Sequence, residues 1–112
     1  MKQEIILINA IDEDHLKNVV ETMQTLGNPT IKAVWAEQWS AWVALEGSHR
    51  CHAAKQLGLT VMIEEVEYSN TQLFDLGIED GTNWDSTVEE YFDSAPASAN
   101  AGYALITNCE RI

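Results

Sequence analysis

The residues best suited to chemistry form one short polar cluster: Glu46-Gly47-Ser48-His49-Arg50. The apolar run 41–45 before it predicts a strand, and the good helix formers in 48–57 after it predict a helix. At such a strand-to-helix junction, Gly47 lets the backbone approach a ligand, Ser48 is a preferred N-cap, and the first helical N–H groups point towards an anion. The pattern predicts a phosphate-binding turn, to which Arg50 adds a forked donor.

Other interpretations of this stretch stay open. Gly47-Ser48 is also an ordinary capping pair, beside which an arginine can be merely solvated. His49 and His52 lie three residues apart and, with Cys51, raise the question of a metal site. Zinc normally takes three or four protein ligands at a characteristic spacing, and only the two histidines are evident. We therefore assign no metal ligand here.

The order of these features resembles the ParB/sulfiredoxin superfamily: a strand, an acidic residue, Gly-X-His-Arg, and a small-residue helix that ends in Leu-Gly. The resemblance spans Ile5 to Tyr68. It is specific at five positions: Gly47, His49, Arg50, Ala54 and Gly58. It implies an α/β (α+β) fold, a small mixed sheet with two main helices. It also implies that the turn 47–50 holds the phosphates of a nucleotide such as ATP or CTP, with Gly47, Ser48, His49 and Arg50 as the binding residues.

The chain departs from two branches of that superfamily. Ser48 stands where sulfiredoxins carry their nucleophilic cysteine, and serine is a far weaker nucleophile without an adjacent base. No helix-turn-helix domain of the chromosome-partition kind follows the match. If the protein is an enzyme, the resemblance implies phosphoryl transfer or phosphodiester cleavage with Mg²⁺. Arg50 would then stabilise phosphate charge, and Glu46, Asp12 or Asp14 would bind the metal or take a proton.

The charge distribution supports a second hypothesis from another class. Six basic residues against eighteen acidic ones give a net charge of −12, and no Lys or Arg lies between Lys55 and Arg111. DNA binding needs clustered basic residues, so autonomous DNA binding is not expected. The acidic surface instead predicts a non-catalytic interaction module, of the kind carried by phages or plasmids, that binds a basic protein partner.

The remaining pattern divides the chain into a core, 1–68, and an acidic C-terminal extension, 69–112, that packs on or beside it. Three roles are open for the extension: it covers the ligand cleft, it forms the interface of a homodimer, or it binds a partner protein. No apolar segment is long enough to span a membrane, and no export signal is evident. The two cysteines lack the spacing of a metal site and predict free thiols. We therefore expect a cytoplasmic protein with no membrane partner.

Individual elements follow from periodicity. Asp12-Glu13-Asp14 predicts the start of a helix, with the alternative that one of these carboxylates lies near the phosphate turn. The helix's apolar face is expected at these positions: Leu16, Val19, Val20, Met23 and Leu26. Strands are predicted at 3–9, 30–37, 41–45 and 60–68, the middle two as a hairpin. Trp42 is expected to pack in the core and Trp39 to lie exposed.

Expectations for the C-terminal third are coarser. Residues 69–76 predict a short helix, Glu79-Asp80-Gly81 a turn, and Ser86 or Thr87 the cap of another short helix. The Ala, Ser, Pro and Asn of 93–102 predict a flexible segment. Residues 103–107 predict an edge strand.

Overall fold

A computed structural model describes residues 1–78 and 86–112 and confirms the α/β fold class and the mixed sheet. The strands are β1 Lys2–Ile6, β2 Thr30–Ala36, β3 Ala41–Ala44, β4 Val61–Glu65 and β5 Ala104–Arg111. The helices are α1 Glu13–Leu26, α2 Ser48–Leu57 and α3 Val88–Asn100, and short 3-10 helices occupy Glu37–Trp39 and Leu73–Leu76. No helix that the structure describes is long and apolar enough to cross a bilayer.

The strands close into a barrel in the order β1-β3-β2-β4-β5. β2 and β3 form the predicted antiparallel hairpin, with Trp35 opposite Trp42. β1 pairs with β3 in parallel and β2 pairs with β4 in parallel. Parallel neighbours need a long crossover, and α1 and α2 supply it within the β1–β2 and β3–β4 connections.

β5 corrects the prediction of an edge strand. It begins at Ala104, extends to Arg111, and pairs with β1 on one side and β4 on the other. The last strand therefore closes the barrel, and closure removes the unpaired edges that an open sheet would expose. The apolar residues at 103–107 could predict a strand, but they carry no information about how many neighbours that strand has. Residues 104–111 of the C-terminal extension therefore form a strand of the sheet.

The main core cluster joins side chains from all five strands to the inner faces of α1 and α2. Trp42 is 1% exposed, as expected of a packing residue, and its indole N–H donates to Gln3 Oε1 at 3.0 Å. Leu16 and Met23 of α1 are buried as predicted, but Leu26 is 75% exposed. Leu26 is the last residue of α1, where the helix has run beyond the surface it covers.

α3 corrects the prediction of a flexible segment at 93–102. The helix continues to Asn100, with Pro96 inside it, and buries Ala95 and Ser98. Thr87 is the N-cap, since its Oγ1 accepts from the Glu90 N–H at 3.2 Å. Alanine is a strong helix former, and burial against the sheet outweighs the Ser, Pro and Asn content. In 69–76 only Leu73–Leu76 is helical, as a 3-10 turn, and the predicted turn 79–81 lies outside the described residues.

Candidate functional site

The turn between β3 and α2 has a backbone that only glycine adopts easily. Gly47 is the N-cap of α2 and lies in the left-handed region at φ 78° and ψ 30°. A Cβ on Gly47 would be 2.5 Å from Ile31 Cγ2, so a side chain would also collide with the core. The N-cap predicted at Ser48 is therefore wrong by one residue: Ser48 is the first helical residue and is buried.

The start of α2 leaves backbone donors without intrahelical acceptors. The first bond of the helix runs from the Cys51 N–H to the Gly47 carbonyl at 2.9 Å. The N–H groups of Ser48, His49 and Arg50 precede that bond, so the helix itself cannot pair them. They lie at the positive end of the helix dipole, where an anion is stabilised.

Arg50 is held in place by β2 and by Glu46. Its Nη1 donates to the Thr30 carbonyl at 2.7 Å, and its Nη2 lies 3.3 Å from Glu46 Oε1. These contacts orient the guanidinium, yet the side chain is still 39% exposed. Two of its five N–H donors have protein partners through these nitrogens, so the remainder can serve a ligand.

Glu46 has both carboxylate oxygens engaged. Oε1 faces Arg50, while Oε2 accepts the Lys32 backbone N–H at 3.0 Å and lies 4.0 Å from Lys32 Nζ. Lys32 Nζ also lies 3.2 Å from Glu64 Oε2. Two cations and two carboxylates thus form one balanced network. Its contacts make Glu46 a residue that positions Arg50 and Lys32.

Asp12 and His49 are brought together from the starts of two different helices, Asp12 as the N-cap of α1 and His49 in the first turn of α2. The Asp12 N–H donates to His49 Nε2 at 2.9 Å. The carboxylate of Asp12 accepts from the N–H groups of Asp14 and His15 and so caps α1. These backbone hydrogen bonds, that of His15 foremost, lower the pKa of Asp12. The capping interpretation of the acidic trio is confirmed at Asp12, and the residue also lies beside the turn, through its backbone.

His49 contacts a second histidine. Its ring centroid lies 4.4 Å from that of His15, with the planes nearly perpendicular. Burial and the charge of His15 lower the pKa of His49, so the neutral form is favoured. Because Nε2 accepts a hydrogen bond, we assign the proton of the neutral ring to Nδ1.

The carboxylates predicted as metal ligands lie in different surroundings. Across the described part of the chain, no group of three or more His, Cys, Asp and Glu side chains is placed to hold a metal ion. Glu46 faces two cations, and the Asp14 carboxylate makes no hydrogen bond or ion pair with the turn among the described residues. Cys51 is fully buried, and burial raises the pKa of its thiol to about 12. Mg²⁺ bound through the phosphates of a nucleotide stays a prediction.

Sequence reasoning missed Lys32, Thr30 and His15. The hairpin register places Ala33 opposite Ala44, so Lys32 lies across from Leu45, next to Glu46. That register could have revealed the charged pair, because residues facing each other in a hairpin are close. The contacts of Thr30 with Arg50 and of His15 with His49 join separate elements, and no local pattern indicates them.

Comparison with protein-family models found no match to this chain, and comparisons with curated proteins and with solved structures found none either. The resemblance to the ParB/sulfiredoxin superfamily stays a prediction from the motif residues. The geometry described above is what supports the function proposed next.

Proposed function

We propose that the turn between β3 and α2 binds a phosphate group of a nucleotide. The observation that carries this proposal is the alignment of the Ser48, His49 and Arg50 N–H groups behind a left-handed Gly47. Free N–H groups at a helix start form an anion site when the preceding backbone has no side chain in the way. The exposed part of the Arg50 guanidinium adds charge beside them.

Two neighbouring side chains support the same role. Glu46 and the Thr30 carbonyl fix the guanidinium of Arg50, which lowers the entropy lost when it engages a ligand. The neutral His49 ring, whose Nε2 accepts from Asp12, keeps Nδ1–H as a donor. The proposed ligand is a nucleoside triphosphate such as ATP or CTP. Binding alone is proposed, because both oxygens of the Glu46 carboxylate are engaged by Arg50 and Lys32.

Calorimetric titration with ATP and with CTP, each with and without Mg²⁺, tests the proposal. Arg50→Ala should weaken triphosphate binding roughly tenfold to a hundredfold, the value of one charge-assisted hydrogen bond at about 1.5–3 kcal/mol. Lys55→Ala is the matched control, since it removes the same charge from the last turn of the same helix. Equal affinities for the two variants and the parent protein would exclude this site.

The substitution Glu46→Gln tests whether Glu46 positions Arg50 or binds Mg²⁺. Glutamine keeps an acceptor for the Lys32 N–H but removes the negative charge next to Arg50. We therefore expect triphosphate affinity to rise severalfold, with or without Mg²⁺. A loss of affinity that appears only with Mg²⁺ would show instead that Glu46 holds the metal. Urea unfolding of each variant establishes that the fold is retained.

A further inference from the structure

A groove lies on the side of the barrel that α3 covers. It has a volume of about 380 Å³ and is lined by Glu4, Ile6, Trp39, Pro96, Ala99 and Asn100. Glu4 and Ile6 are two residues apart on β1, so they point to the same face of the sheet. Pro96, Ala99 and Asn100 recur at helical spacing along one side of α3. The result is a groove with a mostly apolar lining and a carboxylate at Glu4.

Small side chains under α3 keep this region open. Ile6 belongs to a cluster whose other buried members are Ala36, Ala41, Val43 and Ala95. Alanine fills little volume between helix and sheet, and the partly buried Ala99 continues the same stripe along the groove wall. The groove thus follows from the choice of small residues at the contact between α3 and the sheet.

Trp39 presents an aromatic surface to the groove. The residue is 38% exposed, and its ring stacks on Phe92 with centroids 5.4 Å apart and planes at 28°. Tyr68 packs edge-on against Phe92, with ring centroids 5.1 Å apart. Phe92 packs against one face of the indole, and Trp39 also lines the groove. The stacking also restrains the indole before any ligand arrives.

The surroundings of the groove are negatively charged. Within residues 1–78 and 86–112 no basic side chain forms an ion pair with Glu4. α3 carries Glu89, Glu90 and Asp93 and has no Lys or Arg along its length. Asp93 follows Phe92 on α3, and the ring of Tyr68 packs against Phe92, so this carboxylate lies beside the aromatic residues. A cation entering this region is attracted and a nucleic acid is repelled.

We propose that this groove binds an arginine side chain from a basic segment of a partner protein. The guanidinium stacks on the exposed part of the Trp39 indole and pairs with the Glu4 carboxylate, while its methylene stem lies along Ile6 and Ala99. A planar guanidinium suits stacking and carboxylate pairing together, whereas a lysine ammonium is a hydrated point charge. The acidic surface over the rest of the molecule complements the remaining basic residues of such a segment.

This proposal is independent of the phosphate site. Arg50 contacts Thr30 at the start of β2, whereas Trp39 follows the end of β2 at Ala36. A strand of this length separates the two places by about 20 Å. Nucleotide binding and peptide binding can therefore be measured, and can fail, separately.

The experiment uses the full chain and two labelled peptides, acetylated and amidated hexa-arginine and hexa-lysine, followed by fluorescence anisotropy at fixed salt. The arginine peptide should bind more tightly than the lysine peptide of equal charge. Trp39→Leu and Glu4→Gln should each weaken arginine-peptide binding roughly three- to tenfold, and Trp39→Phe should lie between the parent and Trp39→Leu. Ala99→Leu, which fills the groove and leaves Trp39 and Glu4 in place, should weaken it as well.

Glu21→Gln is the matched control, since it removes one charge from the exposed side of α1 and should change affinity less than twofold. Equal losses for Glu4→Gln and Glu21→Gln would overturn the proposal and show attraction to net charge alone. Equal affinity for the two peptides, no effect of Ala99→Leu, or no binding of either peptide would also overturn it. Near-ultraviolet circular dichroism of each variant confirms that the fold is intact.

Discussion

Replacing Gly47 by alanine measures how closely the β3–α2 turn is packed. The new Cβ would stand 2.5 Å from Ile31 Cγ2 and 3.2 Å from Arg50 Nη2. Gly58, which ends α2, is a matched control because it has a similar left-handed backbone, at φ 69°, with nothing within 4 Å of an added Cβ. Both substitutions force alanine into the left-handed region, but only Gly47→Ala meets a core side chain.

The expected costs differ for that reason. The left-handed backbone should lower the free energy of unfolding by about 1–2 kcal/mol in both variants. Overpacking against Ile31, which is fully buried, should add about 1–3 kcal/mol for Gly47→Ala alone. We therefore expect a total loss of about 2–5 kcal/mol for Gly47→Ala and of about 1–2 kcal/mol for Gly58→Ala.

Urea unfolding of the two variants gives both losses in the free energy of unfolding. The dependence of that free energy on urea concentration should equal that of the parent protein, as a check that the variants unfold in the same way. The double variant Gly47→Ala/Ile31→Ala locates the cause, because removing Cγ2 removes the collision. Its loss should be smaller than the sum of the two single losses by about 1 kcal/mol or more. Equal losses for Gly47→Ala and Gly58→Ala would refute the close contact, and strict additivity in the double variant would refute Ile31 as its source.

The remaining predictions concern titratable groups. The pKa of His49 is lowered by burial and by His15, so the unfolded chain binds this proton more readily than the folded one. Its contribution to stability is complete above about pH 6.5 and is lost as the pH falls through the lower folded pKa. His49→Gln should flatten the stability profile below pH 6.5, measured by urea unfolding from pH 7.5 to 5; an unchanged slope would contradict this. Burial raises the thiol pKa of Cys51 to about 12 and that of Cys109 to about 11, so neither should react with a disulfide reagent at pH 8 until the protein unfolds in urea. Rapid labelling of the native protein would contradict that burial.

Local patterns in the sequence predicted much of this fold. The helix at 48–57 agrees with α2 at both ends, because Gly47 and Gly58 bound it with left-handed caps. The apolar runs at 30–37 and 41–45 predicted the β2–β3 hairpin, whose strands are only a few residues apart in the chain. The strand-to-helix turn was also located correctly, although its N-cap is one residue earlier. In each case the determining contacts are short-range, so the residues that make them are neighbours in the sequence.

The tertiary structure alone decided how these elements join and what the turn contacts. β5 closes the barrel against β1 and β4, and its own residues do not indicate which strands it pairs with. The Asp12–His49 hydrogen bond joins residues 37 apart. The tertiary structure also sets the contacts of Glu46, whose carboxylate faces Arg50 and Lys32. The pairing of strands across the barrel depends on which strands meet in space. The burial of a side chain depends on which other elements cover it. Neither can be inferred from the residues next to it in the sequence.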